Sequence, residues 1–155
     1  MLLLMFQVAD QHYAVDADRV VEVVPRVELR PIPHAPEFLV GLFGYRGTVV
    51  PVVDLGLLLG SEVCRSRLST RIILVDVTGR SRARRSLLGL IAEHVYDVRT
   101  VRNGQVLTPP MPLEQSPYLG SIVQTEDGLA QLIDVGRVLS EPLWNGLYGD
   151  SPEAP

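Results

Sequence analysis

The sequence predicts a mainly β chain built as two pseudo-duplicated, small, barrel-like lobes with only short helices. Three observations lead there. Apolar residues fall in short runs of strand length and not in long 3.6-residue periods. Turn-forming residues separate these runs at close intervals. The chain also repeats itself in the order of its elements.

The elements follow in chain order. Leu4, Phe6 and Val8 alternate with other residues, as on a half-buried strand, and Tyr13, Ala14 and Val15 supply its hairpin partner across Asp10 and Gln11. Val20, Val21, Glu22 and Val23 form the next extended piece. Residues 31–36 are Pro-rich and read as a connection. Two apolar runs, 38–43 and 48–53, flank Gly44-Tyr45-Arg46-Gly47, which has the length and composition of a hairpin turn. Asp54 is placed to N-cap a helical turn running to Leu59, with Gly60 as its stop. Runs 71–77 and 87–91 flank an Arg-rich loop carrying Arg80, Arg82, Arg84 and Arg85. After the second Pro-rich connection, 109–117, runs 118–124 and 129–133 flank Glu126-Asp127-Gly128, another turn signal.

The repeat ties these pieces into two lobes. Val52-Val53-Asp54-Leu55-Gly56 recurs 80 residues later as Leu132-Ile133-Asp134-Val135-Gly136, each followed by an apolar helical turn. Tyr13-Ala14-Val15 and Val20-Val21-Glu22-Val23 resemble, 75 residues on, Leu88-Gly89-Leu90 and Val95-Tyr96-Asp97-Val98. Two matches in the same order imply a structural duplication. Each lobe would close its sheet into a barrel and so remove exposed edges. The organisation expected is one domain over residues 1–150, made of two intertwined lobes, with 151–155 as a disordered tail.

Composition narrows the function. A chain of 155 residues with 46% apolar content can bury a core. The net charge of −4 argues against nucleic acid as a partner. All 14 basic residues are Arg. The apolar start, residues 1–6, lacks a basic flank, and the stretch 38–60 contains Arg46, Pro51 and Asp54, so neither reads as a targeting or membrane-spanning segment. The cytoplasm is the expected compartment, without direct membrane insertion.

No catalytic signature emerges. His12, His34 and His94 lie in no metal-ligand spacing, and the single cysteine, Cys64, has no marked partner base. No glycine-rich phosphate loop is present. Asp54 and Asp134 invite an acid/base reading, but their repeated context favours equivalent N-caps, each contributing about 1 kcal/mol. No catalytic residue, metal or cofactor is therefore expected. One feature stands apart. The turn 44–47 presents Arg46 between two apolar strands, and an Arg on a rigid hairpin end is a typical interface anchor.

From Phe6 to Leu139 the chain resembles the CheW-like coupling proteins of bacterial chemosensory arrays. The resemblance is carried by Phe6-Gln7-Val8, Pro33-His34-Ala35-Pro36, Gly41-Leu42-Phe43-Gly44-Tyr45-Arg46-Gly47 and, most specifically, Val49-Val50-Pro51-Val52-Val53-Asp54-Leu55. Thr70-Arg71-Ile72-Ile73-Leu74-Val75, Leu88-Gly89-Leu90-Ile91 and Pro109-Pro110 complete it. It implies two five-stranded, SH3-like β-barrel lobes around a shared core and no catalysis. It further implies an adaptor that couples chemoreceptor tips to the regulatory domain of a CheA-type histidine kinase, at receptor arrays on the inner face of the membrane. Other CheW-like domains are further implied partners. The matching positions place Val20, Glu22, Gly41 and Arg46 in the receptor-binding groove. Gly44 stands where the family usually has Asn, which points to a turn that uses glycine's backbone freedom. Glu93 stands where Asp is common.

Other functional classes predict other features. A small β-barrel enzyme or ligand-binding module requires a pocket with convergent polar groups. A CheV-like regulator requires a receiver domain. A stand-alone CheW-like domain modulating kinase activity shares the adaptor's fold and differs only in its partners.

Overall fold

The computed structural model describes residues 1–78, 86–109 and 116–149. The Arg-rich loop with Arg80, Arg82, Arg84 and Arg85, most of the second Pro-rich connection and the tail 151–155 lie outside the described residues. Eleven strands are described: β1 Leu2–Val8, β2 Gln11–Asp16, β3 Val20–Pro25, β4 Leu39–Tyr45, β5 Thr48–Asp54, β6 Arg71–Asp76, β7 Leu87–Ala92, β8 His94–Thr100, β9 Val106–Leu107, β10 Leu119–Thr125 and β11 Gly128–Ile133. Two helices, α1 Leu55–Leu58 and α2 Glu141–Tyr148, accompany them.

The strands form two sheets. One has the order β3-β6-β7-β5-β4; the other has the order β8-β1-β2-β11-β10-β9. The second sheet holds a sixth strand because the two-residue β9 pairs with Ile122 and Val123. The lobe that begins with β1 and β2 is thus completed only by strands from the far end of the chain. The lobes are intertwined through β1 and β2, which join β8, β10 and β11.

Pairing registers establish the duplication. In one lobe β5 runs parallel to β7, with Val52 opposite Gly89. In the other, β11 runs parallel to β2, with Leu132 opposite Ala14. These are the positions that the 80- and 75-residue offsets relate. The hairpins agree as well: Leu39 faces Val53 as Leu119 faces Ile133. Asp54 N–H donates to Phe38 O at 2.8 Å, as Asp134 N–H donates to Tyr118 O at 2.7 Å.

The strand β1 is buried on both faces, not half-buried as its alternation implied. Leu4, Phe6 and Val8 join a core shared with β5, β6 and β7. Leu3 and Met5 point the other way, into a smaller core with Ala14, Val101, Val123 and Ala130 inside the second barrel. A strand that walls both a barrel interior and an interlobe core has no solvent face, so its residues are apolar on both sides.

The helix α2 has no counterpart in the sequence reading. Ser140 N-caps it, accepting from Leu143 N–H at 3.4 Å. It lays Leu143, Trp144, Leu147 and Tyr148 on the shared core, and Tyr148 OH donates to Leu87 O at 2.6 Å.

Candidate docking site

The site begins with a two-residue turn. Strands β4 and β5 pair through Tyr45 and Thr48, leaving only Arg46 and Gly47 at the tip. Both have positive φ, 47° and 81°. This is the geometry that matches the right-handed twist of the flanking strands, and it favours Asn-Gly over Arg-Gly. Arg46 therefore occupies its position against local preference.

Three side chains surround that tip. Tyr45 OH donates to Glu22 Oε1 on β3. Arg46 Nη2 lies 3.4 Å from the same carboxylate oxygen. The Arg46 guanidinium sits 5.2 Å from the Tyr45 ring centroid. Since Glu22 and Tyr45 lie on the two outer strands of the sheet, the contact also closes the barrel. The Arg46 side chain is 77% exposed, so the ion pair adds little stability. Its effect is to hold the guanidinium in one place, with its remaining donors toward solvent. Val49, two-thirds exposed, adds apolar surface beside the turn.

Of the four positions drawn from the family resemblance, Glu22 and Arg46 touch, and Val20 lies on the same strand across a bulge from Glu22. Gly41 is buried beneath a strap. Arg30 exchanges both backbone hydrogen bonds with Leu42 at 2.8 Å, and a Cβ at Gly41 would fall 2.8 Å from Arg30 O and from Leu29 Cβ. Its role is to let this strap cross β4. Gly44 sits in ordinary strand pairing opposite Val49, and a Cβ there would meet nothing within 4 Å. The backbone freedom expected of Gly44 is not used; Arg46 and Gly47 carry the turn.

The other candidates resolve as structure. Asp54 is fully buried and caps α1, accepting from Leu57 N–H at 3.2 Å and, through both carboxylate oxygens, from Cys64 N–H at 3.1 Å. Asp134 caps the equivalent turn from the surface, accepting from Gly136 N–H at 3.1 Å. Each serves its own lobe, so they form no acid/base pair. Burial, reinforced by Asp54, pushes the Cys64 thiol up to about 12, which keeps it protonated and unreactive. His12 and His94 gather around one ring: His12 Nδ1 is 2.8 Å from Tyr96 OH, and His94 stacks on Tyr96 at 5.6 Å. Among the described residues no group of three or more His, Cys, Asp or Glu side chains is placed to hold a metal.

Sequence reasoning missed two features. Glu93 is 6% exposed and accepts from Ala9 N–H at 2.8 Å, Arg65 N–H at 2.7 Å and Arg65 Nε at 3.0 Å. The Arg65 side chain foremost holds the Glu93 carboxyl down at about 2. Arg65 also reaches Asp10 at 3.0 Å, so the network links the β1–β2 turn of one lobe to the 61–70 loop of the other. The signal was a carboxylate ending the apolar run before His94. The second feature is an open groove of about 730 Å³ between the lobes, lined by Phe38, Leu58 and their counterparts Tyr118 and Val138, with Pro117 and Leu143. Its polar lining side chains are Arg137, Ser140 and Tyr118, whose hydroxyl donates to Leu58 O at 2.9 Å.

The CheW-like domain family matches residues 2–143. The chain belongs to the CheW-like family. This CheW-like chain is 31% identical to the chemotaxis protein CheW of Rhizobium meliloti (strain 1021) over 108 residues, covering 70% of the chain and 66% of that protein. It is 35% identical to protein FrzA of Myxococcus xanthus over 106 residues, covering 68% and 62%. It therefore spans just under two thirds of these two relatives' lengths. The crystal structure of the scaffolding protein TtCheW from Thermoanaerobacter tengcongensis superposes with a TM-score of 0.78 at 28% identity, covering 90% of this chain and 87% of that one. The two-lobed fold read from the CheW-like chain's repeat is thus the fold of a solved family member. No helix among the described residues is long and apolar enough to cross a membrane.

Proposed function

We propose that this chain is a non-enzymatic adaptor, cytoplasmic and sited at receptor arrays, that couples the tips of chemoreceptors to the regulatory domain of a CheA-type histidine kinase. The observation that carries the reading is the Arg46 turn: an exposed guanidinium fixed by Glu22 and Tyr45 on the rigid end of a barrel. Membership of the CheW-like family and the resemblance to proteins named for chemotaxis and scaffolding support it.

In this reading Val20, Glu22 and Arg46 face the receptor, and Gly41 acts beneath them by seating the Leu29–Arg30 strap. The turn is held before docking, so little conformational freedom is lost on binding. The Arg46 stem packs on an apolar helix surface while its free donors take a carboxylate or a helix carbonyl. The test is reconstitution from purified components. The chain, a receptor tip and a kinase regulatory domain are expected to elute together, with each partner also bound singly. A chain that binds neither would overturn the reading.

A further inference from the structure

The helix α2 ends beside the Arg46 turn. Its last residues, Leu147 and Tyr148, pack on the shared core, and the Tyr148 hydroxyl donates to Leu87 O at the start of β7. Gly149 stops the helix, donating its N–H to Asn145 O at 2.8 Å. A Cβ at Gly149 would fall 2.2 Å from that oxygen, so a larger residue would disturb this stop. The chain then leaves in an extended conformation, with φ −55° and ψ 145° at Gly149.

It leaves from a hollow that the hairpin shares. Gly47 and Val49, next to Arg46 in the chain, line one hollow of about 500 Å³ together with Leu147, Tyr148 and Gly149. Among the described residues no charged side chain lines it. The six residues that follow Gly149 are Asp150-Ser151-Pro152-Glu153-Ala154-Pro155, outside the described residues, with two carboxylates and no basic side chain. Extended chain advances about 3.3 Å per residue, so residues 150–153 span about 13 Å, more than the roughly 10 Å width of a compact hollow of this volume. Across it stands the Arg46 guanidinium, 77% exposed and held by Glu22 on one side only. Two prolines restrict the segment in the unbound chain and so lower the entropy lost on docking. Any other occupant would have to pass the chain that starts there.

We infer that the segment 150–155 lies back across this hollow and sets its carboxylates against Arg46, as a tethered ligand of the chain's own docking turn. For its consequence the inference rests on the adaptor reading, since a receptor then competes for the same donors. A short tether supplies a millimolar effective concentration, while a solvent-exposed ion pair is weak and screened by salt. The segment therefore tunes docking without closing the site.

The experiment uses the full chain, labelled for NMR, and a purified receptor tip. Asp150→Asn with Glu153→Gln is expected to shift the Arg46 Nε–H signal and the Gly47 and Val49 amide signals, and high salt shifts the wild type the same way. Receptor-tip affinity at low salt is expected to rise about threefold in this double variant, with no rise in an Arg46→Ala background. Glu141→Gln, which removes a carboxylate at the other end of α2, leaves the signals and the affinity at wild-type values. Unshifted hairpin signals in the double variant overturn the inference, as does an equal gain in affinity from Glu141→Gln. Shifts in the wild type that grow with chain concentration assign the hollow to a second copy and also overturn it. Hairpin signals that shift as expected in a chain that binds no receptor tip uphold the docked segment and overturn the adaptor reading instead.

Discussion

Asp54 and Asp134 occupy the same place in two copies of one motif, and their surroundings could hardly differ more. Both follow a hairpin of matched register, both donate their N–H to the residue that opens the hairpin, and both cap the helical turn that follows. Asp54 is sealed under the loop 61–70, which donates Cys64 N–H to both of its oxygens. Asp134 stays half-exposed beside Arg137. Duplication preserves the backbone and the cap; what the chain does afterwards decides whether the cap is a surface detail or part of the core.

The largest effect expected from this contrast is Asp54→Ala. It leaves the N–H groups of Leu57 and Cys64 without their acceptor in a buried place, at about 3 kcal/mol, and it frees the loop 61–70. Thermal or chemical denaturation measures it. A loss of only about 1 kcal/mol, equal to that of Asp134→Ala, would erase the distinction between the two lobes.

Glu93 comes next, since it fastens the other side of the same loop. Its folded-state carboxyl is depressed to about 2, chiefly by the Arg65 side chain. A depressed acid stabilises the fold above its unfolded value, about 4.3, and that contribution fades as pH falls from there through about 2. Stability against pH is therefore expected to drop between pH 4 and 2 in the wild type and to flatten in Glu93→Gln. An unchanged acid limb in that variant would detach Glu93 from the clasp.

Smaller effects sharpen the comparison. Asp134→Ala removes a surface cap and is expected to cost about 1 kcal/mol by denaturation. Gly44→Asn is expected to be near neutral, within about 0.5 kcal/mol, because the added side chain meets nothing. A large loss there would mean that Gly44, and not Gly47, supplies the freedom of the turn.

Much of this was legible beforehand, for identifiable reasons. Strands announce themselves by period and by turn residues, so β1, β2, β4, β5, β10 and β11 were placed within a residue or two. The repeat was readable because Val52–Asp54 and Leu132–Asp134 keep the same order of apolar and capping residues. Burial on both faces of β1 was not, because it depends on strands from the far end of the chain. The helix α2 was readable and overlooked: Ser140 before Glu141-Pro142, then Leu143, Trp144, Leu147 and Tyr148, is a capped amphipathic turn pattern. Arg46 and Glu22 were named from the resemblance, and their contact follows from barrel closure. The Gly41 strap and the Glu93 clasp are contacts across long sequence separation, for which single residues leave no local signal.

The barrel ends offer the most direct test. The pseudo-equivalent tip of the second lobe carries Glu126 where the first carries Arg46, and there Arg99 on β8 bonds to Asp127 in the turn at 2.7 Å. The same closure is made with the charges exchanged. Receptor-tip affinity should therefore be titrated for folded Arg46→Glu and Glu126→Arg. The account predicts a loss of about 2 kcal/mol or more for Arg46→Glu and wild-type affinity for Glu126→Arg. Wild-type affinity in Arg46→Glu, or a loss confined to Glu126→Arg, would contradict it.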